Sequence, residues 1–197
     1  MDKKKIIAIV GPTGIGKTSL SVQLAHKFNG EIISCDSMQV YKKMDIGTAK
    51  VTEEEKEGIV HYLVDDQEYD QPYNVKIFQD KCRDLIKHIQ EKGKQVILCG
   101  GTGLYLKACL YDYVFKEEKK DEEYTSYLNE RSNEELVDLL MKIDPKEFDK
   151  IHPKNRKRVI RALEIAHGGK IKSERESEQE HKPMYDVYFL GLDVDRN

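Results

Sequence analysis

Residues 6–18, IIAIVGPTGIGKT, decide how the rest of the chain is read. Five apolar residues, Ile6 to Val10, form a strand-like run that passes straight into the pattern GxxxxGK[ST], filled by Gly11, Gly16, Lys17 and Thr18. Glycines at those places let backbone N–H groups turn inward on phosphate oxygens. The lysine adds a mobile positive charge, and the threonine hydroxyl suits Mg²⁺. The next segment, SLSVQLAHKF, carries Leu20, Val22, Leu24, Ala25 and Phe28 at helical spacing. Its helix N-terminus would therefore point at the same anion.

Working outward, Asn29-Gly30 stops that helix and Glu31–Ser34 reads as a second strand ending at Asp36. In an open α/β sheet, ligands sit at the carboxyl ends of strands, so Asp36 is expected beside the phosphate loop, as a magnesium partner or a base. Thr52 to Gly58 suggests a short helix, and HYLVDD at 61–66 a third strand. Residues 74–90 form an amphipathic helix with Val75, Phe78, Cys82, Leu85, Ile86 and Ile89 on its apolar face. QVILCGG at 95–101 is apolar throughout, which predicts a central strand delivering Gly100, Gly101, Thr102 and Gly103 to the loop's edge of the sheet. Thr102 is a candidate polar contact there.

From Tyr111 the composition changes. KEEKKDEE at 116–123 reads as a solvated connection, and Ser132 with Glu135 forms a capping box for a helix over 132–144. Residues 112–153 are read as a small helical insertion on a core of residues 1–111. The chain then returns to the core over 154–197 through a basic helix, a polar loop at 167–184 and a last strand at 185–194. In that helix Lys154, Arg156, Lys157, Arg158 and Arg161 place five cations in eight residues without an acid, enough to bind phosphates.

Bulk properties exclude some classes. The 197 residues fit one domain, or one domain with a small insertion, and a net charge of −3 restricts any nucleic-acid contact to a local patch. Cys35, Cys82, Cys99 and Cys109 form no CxxC pair, so buried reduced thiols of a cytosolic protein are expected. MDKKK leads into the first strand without a cleavage-site pattern, and no apolar run approaches the roughly 18 residues of a membrane span. A soluble, cytoplasmic protein follows, with no membrane partner. The alternation of elements argues for an α/β fold, a mostly parallel sheet with helices on both faces.

The segments GPTGIGKTSL, SCDSMQVYKKMDIGTAK, CGGTGLYLKACL and IHPKNRKRVIRALEI together resemble the tRNA dimethylallyltransferases, also called tRNA isopentenyltransferases. The similarity covers nearly the whole chain, and DSMQVY with MDIGTAK is its most specific part. It implies a fold like that of P-loop nucleotide kinases. The implied reaction is transfer of a five-carbon prenyl group from dimethylallyl diphosphate to N6 of adenine 37 in the tRNA anticodon stem-loop. By resemblance, Gly11, Pro12, Thr13, Gly14, Ile15, Gly16, Lys17 and Thr18 would hold the diphosphate, Thr18 with Mg²⁺, and Asp36 would be the base. Asp36, Ser37, Met38, Gln39, Thr102, Lys157, Arg158, Val159, Ile160 and Arg161 would contact tRNA. The chain departs from the family at Thr125, where an arginine is usual. It also ends at Asn197, whereas family members continue with more helices, so a chain truncated at its C-terminus is expected. A P-loop kinase using ATP and a nucleotide-dependent RNA-binding module without chemistry are the competing readings. The first leaves Asp36-Ser37-Met38-Gln39 unexplained, the second the acid beside the phosphates.

Overall fold

The computed structural model describes residues 5–115, 121–169, 171–177 and 180–193. In chain order the elements are β1 (Ile6–Val10), α1 (Lys17–Phe28), β2 (Gly30–Ser34), α2 (Glu53–Lys56), β3 (His61–Tyr62), α3 (Val75–Glu91), β4 (Gln95–Gly100) and α4 (Gly103–Leu110). They continue with α5 (Glu122–Asn129), α6 (Asn133–Ile143), α7 (Pro145–Phe148), α8 (Arg156–His167), α9 (Lys172–Ser177) and β5 (Val187–Gly191). The chain divides into two compact units, residues 1–113 with 181–197 and residues 114–180.

The first unit is built on a five-stranded sheet of order β3-β2-β4-β1-β5, in which every pairing is parallel. β4 lies at its centre, as its unbroken apolar run predicts. Parallel neighbours need crossovers, and α1 and α3 supply them on opposite faces. On one face Val22 and Ala25 of α1 pack with Ile9, Ile32 and Ile97. On the other, Phe78, Cys82, Ile86 and Ile89 of α3 and Tyr105 and Leu106 of α4 cover Ile6, Ala8, Ile33 and Leu98. Phe78 and Tyr105 stack at 4.3 Å. Each fully buried isoleucine, leucine, valine or phenylalanine among these contributes about 1.5–3 kcal/mol.

Two elements depart from the sequence reading. HYLVDD is a strand only at His61–Tyr62, because Leu63 and Asp65 take φ of 59° and 52° and turn the chain out of the sheet. GLYLKACL, to which that reading assigns no element, forms α4 and buries Tyr105, Leu106, Ala108, Cys109 and Leu110.

The second unit is helical. Ser132 and Glu135 cap α6 reciprocally, and Leu136 and Leu140 bury its apolar face with Leu128 of α5. Val159, Ala162 and Leu163 of α8 belong to the same cluster. The basic helix, assigned from sequence to the returning core, is therefore part of this unit: its apolar face is complementary to α5 and α6. α9 occupies part of the segment expected to be a loop; Ser173 at its start donates to the buried Asp144 at 2.5 Å. Of the charge run 116–123, residues 116–120 lie outside the described residues, and Glu122 opens α5.

Candidate active site

The carboxyl ends of β1, β2 and β4 meet because the register sets Val10 opposite Gly100 and Ser34 opposite Cys99. Gly11, Cys35-Asp36 and Gly100-Gly101 leave the sheet at one edge. The approach there is close: a Cβ built on Gly100 would lie 2.4 Å from the Cys35 carbonyl oxygen, and one on Gly11 2.6 Å from that of Leu192. Only glycine fits at either place.

Between these ends lies a cavity of about 280 Å³, at the small end of ligand pockets. Thr13, Gly14, Gly16, Lys17 and Thr18 line it from the phosphate loop, and Asp36 and Gln39 from the segment after β2. Lys17 and Asp36 thus open onto one space. Gly14 and Gly16 take φ of 82° and 89°, which turns the loop's N–H groups. Gly16 is the N-cap of α1 and offers no side-chain acceptor, so the N–H groups of the helix's first turn are left for an anion. Lys17 Nζ donates to the Pro12 carbonyl at 2.5 Å, folded back over its own loop.

The Asp36 carboxylate is held by backbone. Its Oδ1 accepts from the N–H of Met38 at 2.8 Å and of Gln39 at 3.3 Å, while the rest of the group faces the cavity. Gln39 is committed to its own loop: its amide donates to the carbonyls of Thr48 and Ala49, and its oxygen accepts from Ser34 Oγ. Met38 is exposed and lines a second hollow formed by residues 43–48. Thr102 is the N-cap of α4, and Pro12 and Ile15, like Thr102 and Ser37, are not among the residues lining the first cavity.

Two wall residues open quoted segments but have no site role in the sequence reading: Ser34 ends β2 and Cys99 is the penultimate residue of β4, a position that strand placement indicates. Glu55 and His61 come from beyond the quoted motifs. Burial pushes the Cys99 thiol up to about 11, so it stays protonated and non-nucleophilic at neutral pH. Burial likewise holds His61 below its usual value, and its Nδ1 sits 2.9 Å from the Ile59 carbonyl, which assigns the proton of the neutral ring to Nδ1. Among the described residues no cluster of three His, Cys, Asp or Glu side chains forms a metal cage. The available donor set, the Thr18 hydroxyl beside an anion site, suits Mg²⁺, which takes few protein ligands and completes its shell with phosphate oxygens and water.

In the second unit, Lys157, Arg158 and Arg161 of α8 are exposed, and Arg161 pairs with Glu164 at 3.3 Å. Within the expected RNA-contacting stretch, Val159 is 1% exposed and Ile160, partly buried, packs against the same core, so the exposed side chains are those of the cations. Arg156 also turns inward, donating to the carbonyls of Leu128, Asn129 and Arg131. Thr125, at the position of the family's arginine, donates to Glu164 at 2.8 Å.

A family model described as IPP transferase matches residues 39–197. The tRNA dimethylallyltransferase of Enterococcus faecalis (strain ATCC 700802 / V583) is 50% identical over 203 residues, covering 98% of this chain and 64% of the relative. That of Anoxybacillus flavithermus (strain DSM 21510 / WK1) is 47% identical over 194 residues, covering 98% and 62%. Among solved structures, the full-length tRNA isopentenylpyrophosphate transferase from Bacillus halodurans matches with a TM-score of 0.63 at 44% identity, over 96% of this chain and 60% of that one. A eukaryotic dimethylallyltransferase acting on tRNA matches with a TM-score of 0.81 at 39% identity, over 96% and 48%. The chain thus spans less than two thirds of the length of these relatives. With a phosphate loop and a carboxylate on one cavity, and relatives of that kind across nearly all its length, the chain belongs to the IPP transferase family.

Proposed function

We propose that this chain carries the catalytic centre of a tRNA dimethylallyltransferase, moving a dimethylallyl group from its diphosphate to the N6 amine of adenine 37 in an anticodon stem-loop. The observation that carries the reading is the shared cavity of Lys17, Thr18 and Asp36. The loop Gly11–Thr18 holds the diphosphate through its turned N–H groups and the first turn of α1, and Lys17 exchanges the Pro12 carbonyl for a phosphate oxygen. Mg²⁺, when bound at Thr18, neutralises charge on the departing diphosphate.

A bond forms between N6 and the allylic carbon as the carbon–oxygen bond to diphosphate breaks, and the amine proton passes to Asp36. Adenine N6 is a poor nucleophile, so loss of that proton is what a fixed carboxylate assists. The base must first leave its stack, at roughly a few kcal/mol. The exposed cations Lys157, Arg158 and Arg161 supply phosphate contacts that offset this cost. The protein is cytoplasmic in this reading, and no helix among the described residues is long and apolar enough to cross a membrane.

Mass spectrometry of an anticodon stem-loop incubated with the chain, Mg²⁺ and dimethylallyl diphosphate tests the proposal. A mass gain of one dimethylallyl group on adenine is expected; phosphate transfer from ATP to a small molecule, without prenyl transfer, would replace it with a kinase.

A further inference from the structure

The segment between Asp36 and Lys50 contains no helix or strand, yet it carries the carboxylate on which the transfer depends. Lys50, at its far end, resolves this. Its side chain is only 5% exposed, and its ammonium donates to three acceptors: the Tyr41 carbonyl at 2.7 Å, Asp45 Oδ1 at 2.6 Å and Asp65 Oδ1 at 2.6 Å. All three ammonium hydrogens are therefore used. The acceptors come from the start of the segment, its middle and the turn that follows β3.

The same turn is stitched to the segment by backbone. Asp65 N–H donates to the Gln39 carbonyl, Asp66 and Gln67 N–H to that of Val40, and Lys42 N–H to that of Gln67. Gln39 then ties the far end at Thr48 and Ala49 to Ser34 on β2, and its own N–H holds Asp36 Oδ1. Two inward-facing polar side chains thus act in series from Lys50 to the carboxylate. A lone buried ammonium is costly unless fully paired, and here its partners tie Tyr41 and Asp45 of the stretch without regular structure to Asp65 after β3.

We propose that Lys50 is a positioning residue for Asp36, fixing the 36–50 segment against the β3 turn so that the carboxylate stands ready before any ligand binds. The inference rests on the transfer reading only in naming what Asp36 does. Lys50 touches neither the cavity nor any reacting atom.

Amide hydrogen exchange on the chain as it stands, without donor or RNA, tests it. Lys50→Met keeps the stem and removes the charge; Asp65→Asn removes the negative charge of one partner while keeping an oxygen and nearly the same volume. Each variant is expected to speed exchange of the Met38 and Gln39 amides, by about tenfold for the lysine and less for the aspartate, while β1 and β4 amides keep their protection. Affinity for inorganic pyrophosphate should stay within about twofold. Unchanged Met38 and Gln39 exchange in both variants overturns the proposal. So does an equal rise in β1 and β4, which would make Lys50 a general stabiliser. Because no prenyl transfer is read, failure of the transfer reading leaves this result separately interpretable.

Discussion

Gly100 lies against the carbonyl of Cys35 so closely that a Cβ on the glycine would sit 2.4 Å from the oxygen and 2.6 Å from the carbon. Those atoms are backbone, immediately before Asp36. Gly100→Ala therefore drives the ends of β2 and β4 apart, with an expected loss of about 2–3 kcal/mol in chemical denaturation and weaker pyrophosphate binding by calorimetry. Gly103→Ala, where a Cβ meets nothing within 4 Å, serves as the control and should stay within about 0.5 kcal/mol of the parent.

Asp36→Asn keeps an oxygen that can accept from Met38 and Gln39, so the turn should persist. It removes the proton acceptor. Prenyl transfer should fall by at least about 100-fold while pyrophosphate affinity remains within about twofold, measured by single-turnover kinetics and calorimetry. Near-parent rates would reassign the base.

Two neighbouring arginines of α8 should separate cleanly. Arg156→Ala removes a donor shared by three carbonyls at and just beyond the end of α5, and is expected to cost about 2 kcal/mol of stability. Arg158→Ala should leave stability within about 0.5 kcal/mol, weaken binding of an anticodon stem-loop and reduce the slope of log affinity against log salt by about 1. An unchanged slope would return Arg158 to a solvated surface.

Glu31 is buried at the edge opposite the site. Burial alone would raise its carboxyl; hydrogen bonds from Lys94, Tyr62 and Lys92 outweigh that and hold it below the usual 4.5. A depressed carboxyl stabilises above the unfolded value, and that stability is lost as pH falls through the folded one. Glu31→Gln is therefore expected to lower stability by about 2 kcal/mol at pH 7, and the difference should begin to shrink only below pH 4.5 and disappear once pH has fallen past the lower folded value, followed by urea midpoints across pH.

Features written in a short stretch were legible in the sequence. The strand, loop and helix of residues 6–28, the Ser132 and Glu135 cap and the central β4 each depend on neighbours in the chain. α4 escaped notice because three glycines in 100–103 mask its start and Thr102 makes no side-chain cap, although LYLKACL supplied the apolar signal. Leu63 and Asp65 break the third strand for the sake of distant partners, Gln39 and Lys50, that no local pattern reveals. At the site, loop and acid were readable as types. That Gln39 turns inward, that Val159 packs in a core and that Arg156 caps a helix are matters of tertiary pairing.

Strand β5 has a consequence for biosynthesis. It pairs with β1 across Ile6–Val10, and just beyond it the Leu192 N–H donates to the Val10 carbonyl at 2.8 Å while the Leu192 carbonyl abuts Gly11. The first phosphate-loop residue to leave the ribosome is thus seated by a residue that emerges some 180 positions later. The nascent chain must hold β1 with an open flank through some 180 residues of translation, which makes this seam a natural station for a chaperone that shields unpaired strands.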